Sequence, residues 1–141
     1  MSNEAEDGNS GKPGSRAEPS ILYIEDNPDN QALVKRILND LRGITIHLAG
    51  HAREGIELAR QHRPDLILMD LNLPEIDGTE AFEMLQGIEE TAGIPVWVLS
   101  ANVIPSEKAA ILDLGFQRFI DKPFKINEFL DLIDAFVETG S

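Results

Sequence analysis

Three carboxylates, one hydroxyl and one ammonium stand where apolar runs of this chain stop. Asp70 follows Leu66-Ile67-Leu68-Met69 and opens the loop Leu71-Asn72-Leu73-Pro74-Glu75-Ile76-Asp77-Gly78. Glu25 and Asp26 follow Ile21-Leu22-Tyr23-Ile24, Ser100 ends the run that starts at Ile94, and Lys122 follows Phe119-Ile120 and precedes Pro123. A carboxylate at the end of a buried strand is costly unless something pairs with it. If these runs are parallel strands of one sheet, their ends converge on one crevice. Three acids there repel one another, so one keeps a proton at a raised pKa or a cation neutralises the cluster. Mg²⁺ suits such a site, since it takes oxygen ligands, needs few protein carboxylates and keeps waters. Mn²⁺ is expected to substitute. The backbone carbonyl of Asn72, two residues past Asp70, offers a further ligand. Lys122 would act as a point charge, pairing with Asp70 and then with phosphoryl oxygens. Ser100 would donate its hydroxyl to the same oxygens. Phe119 reads as a core or edge aromatic able to swing between exposed and buried positions. Taken singly, each residue has a plainer reading as an exposed turn, a helix cap or a solvated lysine. Their convergence suggests metal binding and acceptance of a phosphoryl group.

The elements that must hold these groups alternate along the chain. Ile21 to Ile24 is a short strand. Pro28 opens a helix with Leu33, Ile37 and Leu41 at four-residue spacing and Val34 and Leu38 beside them. Ile44, Ile46 and Leu48 alternate with Thr45 and His47, a strand with one more polar face. A helix from Ala52 to His62 turns Ile56 and Ala59 inward and ends before Pro64. Asp65 to Met69 is a buried strand. Thr79 is placed to cap a helix carrying Ala81, Phe82 and Leu85. Ile94 to Leu99 is the fourth strand, and Glu107 to Leu114 is a helix closed by Gly115. Phe116 to Ile120 is the fifth strand. Lys122-Pro123 is a candidate cis peptide that would aim the ammonium. Asn127 is read as the cap of a last helix with Phe129, Leu130, Ile133 and Val137 on one side. Strand and helix alternate five times, which implies an α/β fold: a doubly wound parallel five-stranded sheet with helices on both faces. In the flavodoxin-like (βα)5 order 2-1-3-4-5, the topological switch lies between strands one and three. Glu25-Asp26 and Asp70 sit at those two carboxyl ends.

Composition narrows the function. The 141 residues suffice for one domain with a core, and the net charge of −13 argues against direct nucleic-acid binding. The same charge favours divalent cations and basic partner surfaces, besides its ordinary effect on solubility. The absence of cysteine excludes disulfides and thiolate metal sites. No apolar stretch reaches the roughly 20 residues of a membrane span, and no secretory signal is visible, so a cytoplasmic location is the default. Residues 1–19, rich in Gly, Ser, Pro and charge, read as a disordered tail or linker. Residues 20–138 form the expected domain, and 139–141 a short C-terminal tail.

Four segments together resemble the receiver domain of two-component response regulators. They are Tyr-Ile-Glu-Asp-Asn at 23–27, Met-Asp-Leu-Asn-Leu-Pro-Glu-Ile-Asp-Gly at 69–78, Val-Leu-Ser-Ala at 98–101 and Phe-Ile-Asp-Lys-Pro-Phe at 119–124. The resemblance implies that Asp70 is the phosphoacceptor, that Glu25 and Asp26 are the acidic Mg²⁺ pair, and that Lys122 contacts the phosphoryl group. It implies that Ser100 is the switch hydroxyl and Phe119 the aromatic switch position. That aromatic is often Tyr in the family; Phe here removes a phenol hydroxyl from partner contacts. Glu25 stands where Asp is common and keeps the charge. The implied donor is a phosphohistidine on a histidine kinase or histidine phosphotransfer protein. The implied readout is partner binding through the fourth helix, fifth strand and fifth helix. Asn72 and Asn102 lie at positions that influence acyl-phosphate lifetime in the family. The chain would thus be a phosphoacceptor signalling domain, catalysing only its own phosphotransfer and dephosphorylation.

Other readings fit less well. A haloacid-dehalogenase-type aspartyl-phosphate phosphatase also uses a strand-end Asp, but needs a second Asp two residues on, where this chain has Asn72. A flavin- or nucleotide-binding flavodoxin-like module wants Ser, Thr or Gly in its first loop to cradle phosphate, and Glu25-Asp26-Asn27-Pro28 would repel it. Within the receiver reading, the chain is expected to be either a free-standing or phosphorelay regulator or the receiver segment of a hybrid histidine kinase. The initial Met and the long tail favour the first.

Overall fold

A computed structural model describes residues 18–140. The expected tail therefore lies outside the described residues, apart from Glu18 and Pro19. Five strands form one parallel sheet: β1 (Ser20–Ile24), β2 (Thr45–Ala49), β3 (Leu66–Asp70), β4 (Val96–Ser100) and β5 (Arg118–Asp121). Their spatial order is β2-β1-β3-β4-β5, the order expected from the alternating pattern. Every residue of β3 and β4 is buried, as their continuous apolar runs require of central strands covered on both faces.

Side-chain alternation along the strands divides the core in two. Ile21, Tyr23, Leu66, Leu68, Trp97 and Leu99 face α1 (Pro28–Lys35, continued by a π turn at Arg36–Asp40) and α5 (Ile126–Thr139). Leu22, Ile24, Ile67, Met69, Val96 and Val98 face α2 (Ala52–His62) and α3 (Gly78–Gln86). The remaining helix, α4 (Pro105–Asp113), has no buried residue. No helix among the described residues is long and apolar enough to cross a membrane.

Several local expectations need correction. In α1 the buried side chains are Val34, Ile37 and Leu38, whereas Leu33 and Leu41 are exposed. A four-residue step overshoots an α-helical turn by about 40°, which sets Leu33 off the face of Ile37, and Leu41 lies just past the π turn at the helix end. The same drift exposes Val137 in α5, where Phe136 is buried instead and packs edge-on against Trp97, 5.6 Å between ring centroids. The cap of α3 is Asp77, whose side chain accepts from the Glu80 N–H at 3.0 Å and the Thr79 hydroxyl at 2.8 Å. Asn127 lies inside α5, which starts after Lys125 without a side-chain cap.

Candidate functional site

The parallel register sets Ile24 beside Met69, so β1 and β3 deliver Glu25 and Asp70 to the same rim. Beyond Asp70 the chain turns back sharply. The Gly78 N–H donates to the Leu71 carbonyl at 2.9 Å. A Cβ at residue 78 would lie 2.9 Å from both the Asp70 carbonyl oxygen and the Leu71 Cα, so the loop closes on the strand end only because Gly78 has no side chain. On the other side of β1, Pro28 starts α1 and Asn27 caps it, accepting from the Asp29 and Asn30 N–H groups. The helix start thereby brings Asn30 and Gln31 back over Glu25.

Glu25 is 1 % exposed and both oxygens of its carboxylate are hydrogen-bonded. Oε1 accepts from the Tyr23 hydroxyl at 3.0 Å, Asn30 Nδ2 at 3.2 Å and Lys122 Nζ at 2.9 Å. Oε2 accepts from the Asn27 N–H at 3.1 Å, and Gln31 Nε2 donates to the Glu25 backbone carbonyl at 2.6 Å. Burial would push this carboxyl up, but the bonds from Lys122, the Asn27 N–H and Tyr23 together hold it below the usual carboxylate range. The Tyr23 phenol is pushed upward, first by burial and then by the Glu25 charge, and so stays protonated as a donor. Asp70 is 7 % exposed. Its Oδ1 accepts from the Asn72 N–H at 3.2 Å, and its Oδ2 lies 3.7 Å from Lys122 Nζ. Burial raises the Asp70 pKa; Lys122 opposes the rise, and the charges of Glu25 and Asp26 add to it.

Asp26 is exposed at the rim, and one carboxylate oxygen each from Glu25, Asp26 and Asp70 lie within 4.8 Å of one another. Oxygens on opposite sides of a Mg²⁺ octahedron are about 4 Å apart, so one ion could engage all three with a small contraction. The three acids and Lys122 leave two uncompensated negative charges, the charge of one divalent cation. The Ser100 hydroxyl, at the neighbouring strand end, is buried with no hydrogen-bond partner among the described residues. Lys122 is tied to the same strand end, its N–H donating to the Ser100 carbonyl at 2.9 Å, and the Lys122-Pro123 bond is cis. Phe119 is half-buried on β5, packed against the α2–α3 side of the core. Asn102, two residues past Ser100, has a positive φ of 61°.

The residues singled out from the sequence thus gather at one rim, with one difference. Lys122 was expected to pair with Asp70, yet its closer partner is Glu25. The extra methylene of Glu lets the carboxylate reach the ammonium, and its deeper burial makes an unpaired charge there costlier. Sequence reasoning missed Tyr23, Asn27, Asn30 and Gln31 as the shell that fixes Glu25. The spacing of Tyr23, the only tyrosine in the chain, two residues before Glu25 on one strand face was the available signal.

Comparison with known proteins agrees with this arrangement. The family model of the response regulator receiver domain matches residues 21–134. The chain belongs to the response regulator receiver family. The polar-differentiation response regulator DivK of Brucella anthropi is 32% identical over 118 residues, covering 84% of this chain and 95% of that protein. DivK of Brucella ovis is 33% identical with the same coverage. The receiver domain of a sensor histidine kinase from Pseudomonas aeruginosa, solved with a magnesium ion coordinated in its active-site cleft, superposes with a TM-score of 0.77. It shares 31% identity, over 89% of this chain and all of that one. The receiver domain of a histidine kinase from Syntrophus aciditrophicus gives a TM-score of 0.76 at 30% identity, over 86% of this chain and 91% of that one. The resemblance drawn from the four sequence segments is therefore borne out, and the chain is a receiver domain of two-component signalling.

Proposed function

We propose that this receiver accepts a phosphoryl group from phosphohistidine onto Asp70 and relays the change through partner binding. The observation that carries the reading is the cluster of Glu25, Asp26 and Asp70 carboxylates beside the Lys122 ammonium. Glu25, Asp26, Asp70 and the Asn72 carbonyl would hold Mg²⁺, with Mn²⁺ as a substitute, and the ion supplies charge neutralisation for the acceptor carboxylate and the incoming phosphoryl oxygens.

An Asp70 carboxylate oxygen attacks phosphorus as the phosphorus–nitrogen bond to the donor imidazole breaks, and the imidazole nitrogen takes the departing electron pair. There is little covalent chemistry for the protein to perform beyond positioning and charge. Lys122, already 3.7 Å from Asp70 Oδ2, neutralises charge on the transferred group. Burial of Asp70 keeps its carboxylate poorly solvated and so less costly to strip of water before attack. Ser100 then donates its free hydroxyl to a phosphoryl oxygen. Beside Lys122 a cleft of about 250 Å³, lined by Asn30, Leu33, Val34, Pro123 and Phe124 among others, offers an apolar seat for the donor's helix. The exposed Leu33 is its natural contact. The readout face is α4, β5 and α5. The protein acts on no other substrate and works in the cytoplasm with a histidine kinase or histidine phosphotransfer protein.

The test is incubation with acetyl phosphate, with and without Mg²⁺, followed by intact mass. Gain of one phosphoryl group that needs both the metal and Asp70 is expected. Labelling that persists on Asp70→Asn, or none on the wild type from either acetyl phosphate or kinase, would contradict the assignment.

A further inference from the structure

Helix α4 is thinly attached to the domain. None of its residues is buried, and of its apolar side chains only Ile111 packs against the core as a half-buried neighbour. Its grip on β5 is completed by Lys108. The ammonium lies 2.8 Å from Asp121 Oδ2 and 5.2 Å from the centroid of the Phe119 ring. Phe119 and Asp121, two apart on β5, share one strand face and pair with Val98 and Ser100 of β4. Lys108 thus holds the two residues of β5 that lie alongside the strand end bearing the unpartnered Ser100 hydroxyl.

We propose that Lys108 is a positioning residue, a latch that fastens α4 to β5 and holds the Phe119 ring in its half-buried position. Resting on the phosphoacceptor reading above, the latch is what a phosphoryl group on Asp70 must work against. The ring cannot turn toward the interior and keep the ammonium over its face, so inward rotation forfeits the cation–π contact and loosens the pair with Asp121. Both contacts are individually weak, an exposed ion pair and a single cation–π interaction. Weakness suits the role. A latch of this size biases a two-state element by a small factor, which the new contacts of a phosphoryl group can reverse.

The test uses the full chain and beryllofluoride with Mg²⁺ as a stable mimic of the acyl phosphate. Fluorophenylalanine labelling reports ring position by fluorine NMR, with the Phe119 resonance assigned through Phe119→Leu. Lys108→Met should bind beryllofluoride about three- to tenfold more tightly than the wild type. Its Phe119 resonance should already lie part-way to the saturated position. Lys108→Arg, which keeps both contacts, should match the wild type. Unchanged affinity and resonance in Lys108→Met, even with a lowered melting temperature, would show a merely structural contact and overturn the latch. Lys108→Arg behaving like Lys108→Met would overturn it too. A wild type that ignores beryllofluoride, or an Asp70→Asn variant that binds it equally well, defeats the phosphoacceptor reading first and the latch with it.

Discussion

Replacing Lys122 by Met removes the ammonium that pairs with Glu25 and Asp70 at the acidic rim and keeps the length of the side chain. The ammonium sits 2.9 Å from Glu25 Oε1 and 3.7 Å from Asp70 Oδ2, and the Glu25 side chain is 1% exposed. At an effective dielectric of about 20, the attraction to Glu25 is about 6 kcal/mol and that to Asp70 about 4.5 kcal/mol. Most of that offsets the cost of burying the charges, so the loss on breaking the pair is nearer 3–5 kcal/mol. Glu25 retains its bonds from Tyr23, Asn30 and the Asn27 N–H, which puts the expected loss near the lower end, about 3 kcal/mol. In a domain of this size that corresponds to a fall in melting temperature of about 10 °C in the presence of EDTA. Mg²⁺ should then rescue the variant more than the wild type, because three carboxylates without an ammonium attract the ion more strongly. Each tenfold gain in Mg²⁺ affinity recovers about 1.4 kcal/mol at saturation. Thermal unfolding followed by the fluorescence of the buried Trp97, in EDTA and across a Mg²⁺ titration, measures both quantities. A loss below about 1 kcal/mol, or a gap between variant and wild type that Mg²⁺ leaves unchanged, would refute the reasoning that Lys122 and the metal neutralise the same charges.

Four further variants probe the rim and its surroundings. Asp70 has its folded pKa raised above the ordinary 3.8, chiefly by burial, so its protonated form favours the fold at low pH and that contribution is lost as pH rises through the folded pKa. Asp70→Asn should accordingly melt higher than the wild type at pH 7 without metal and show a flatter stability profile above pH 4; a lower melting temperature at pH 7 would contradict this. The His47 pKa is depressed by burial and by His62, whose ring stacks on it at 4.1 Å, so the unfolded chain binds the proton first and stability falls as pH drops below the ordinary 6.5. His47→Gln should lose that slope in melting temperatures measured between pH 7.5 and 5. Gly78→Ala forces a Cβ against the Asp70 and Leu71 backbone, which cannot rotate away, and should cost about 1–3 kcal/mol and weaken Mg²⁺ binding. Gly55→Ala drives its Cβ into the fully buried side chain of Ile24, with Cγ1 at 2.6 Å, and should cost about 1–3 kcal/mol, offset by up to about 1 kcal/mol of helix propensity, while leaving Mg²⁺ affinity unchanged; calorimetric titration separates the two.

The sheet and its order were legible because each strand declares itself by type: continuous apolar runs in β3 and β4, alternation in β2, and an apolar β1 cut off by two acids. Those acids also made the site legible, since a charged residue at the end of a buried run has few physical explanations. Helix faces were less legible. Leu33 and Val137 look like core residues by spacing and composition, yet a helix of 3.6 residues per turn carries them off the buried face. Caps failed for a related reason. Asp77 and Thr79 are both good cap residues, and only the backbone path decides which side chain meets the free N–H groups of α3.

What the sequence could not disclose was the division of charge at the rim. Counting strand ends yields three acids and a lysine, and nothing in that count says which acid the lysine serves. The answer depends on one methylene and on depth. Glu25 is the more buried carboxylate and the longer one, so it takes the hydrogen bond from Lys122, while Asp70 keeps the longer contact and a raised pKa. Asp70 is left less satisfied than Glu25 by this arrangement. Its partners are one backbone N–H and an ammonium held mainly by another acid. A carboxylate that had used up its donors would gain little from an added cation. Asp70 keeps that capacity because Tyr23, Asn27, Asn30 and Lys122 all satisfy Glu25 instead.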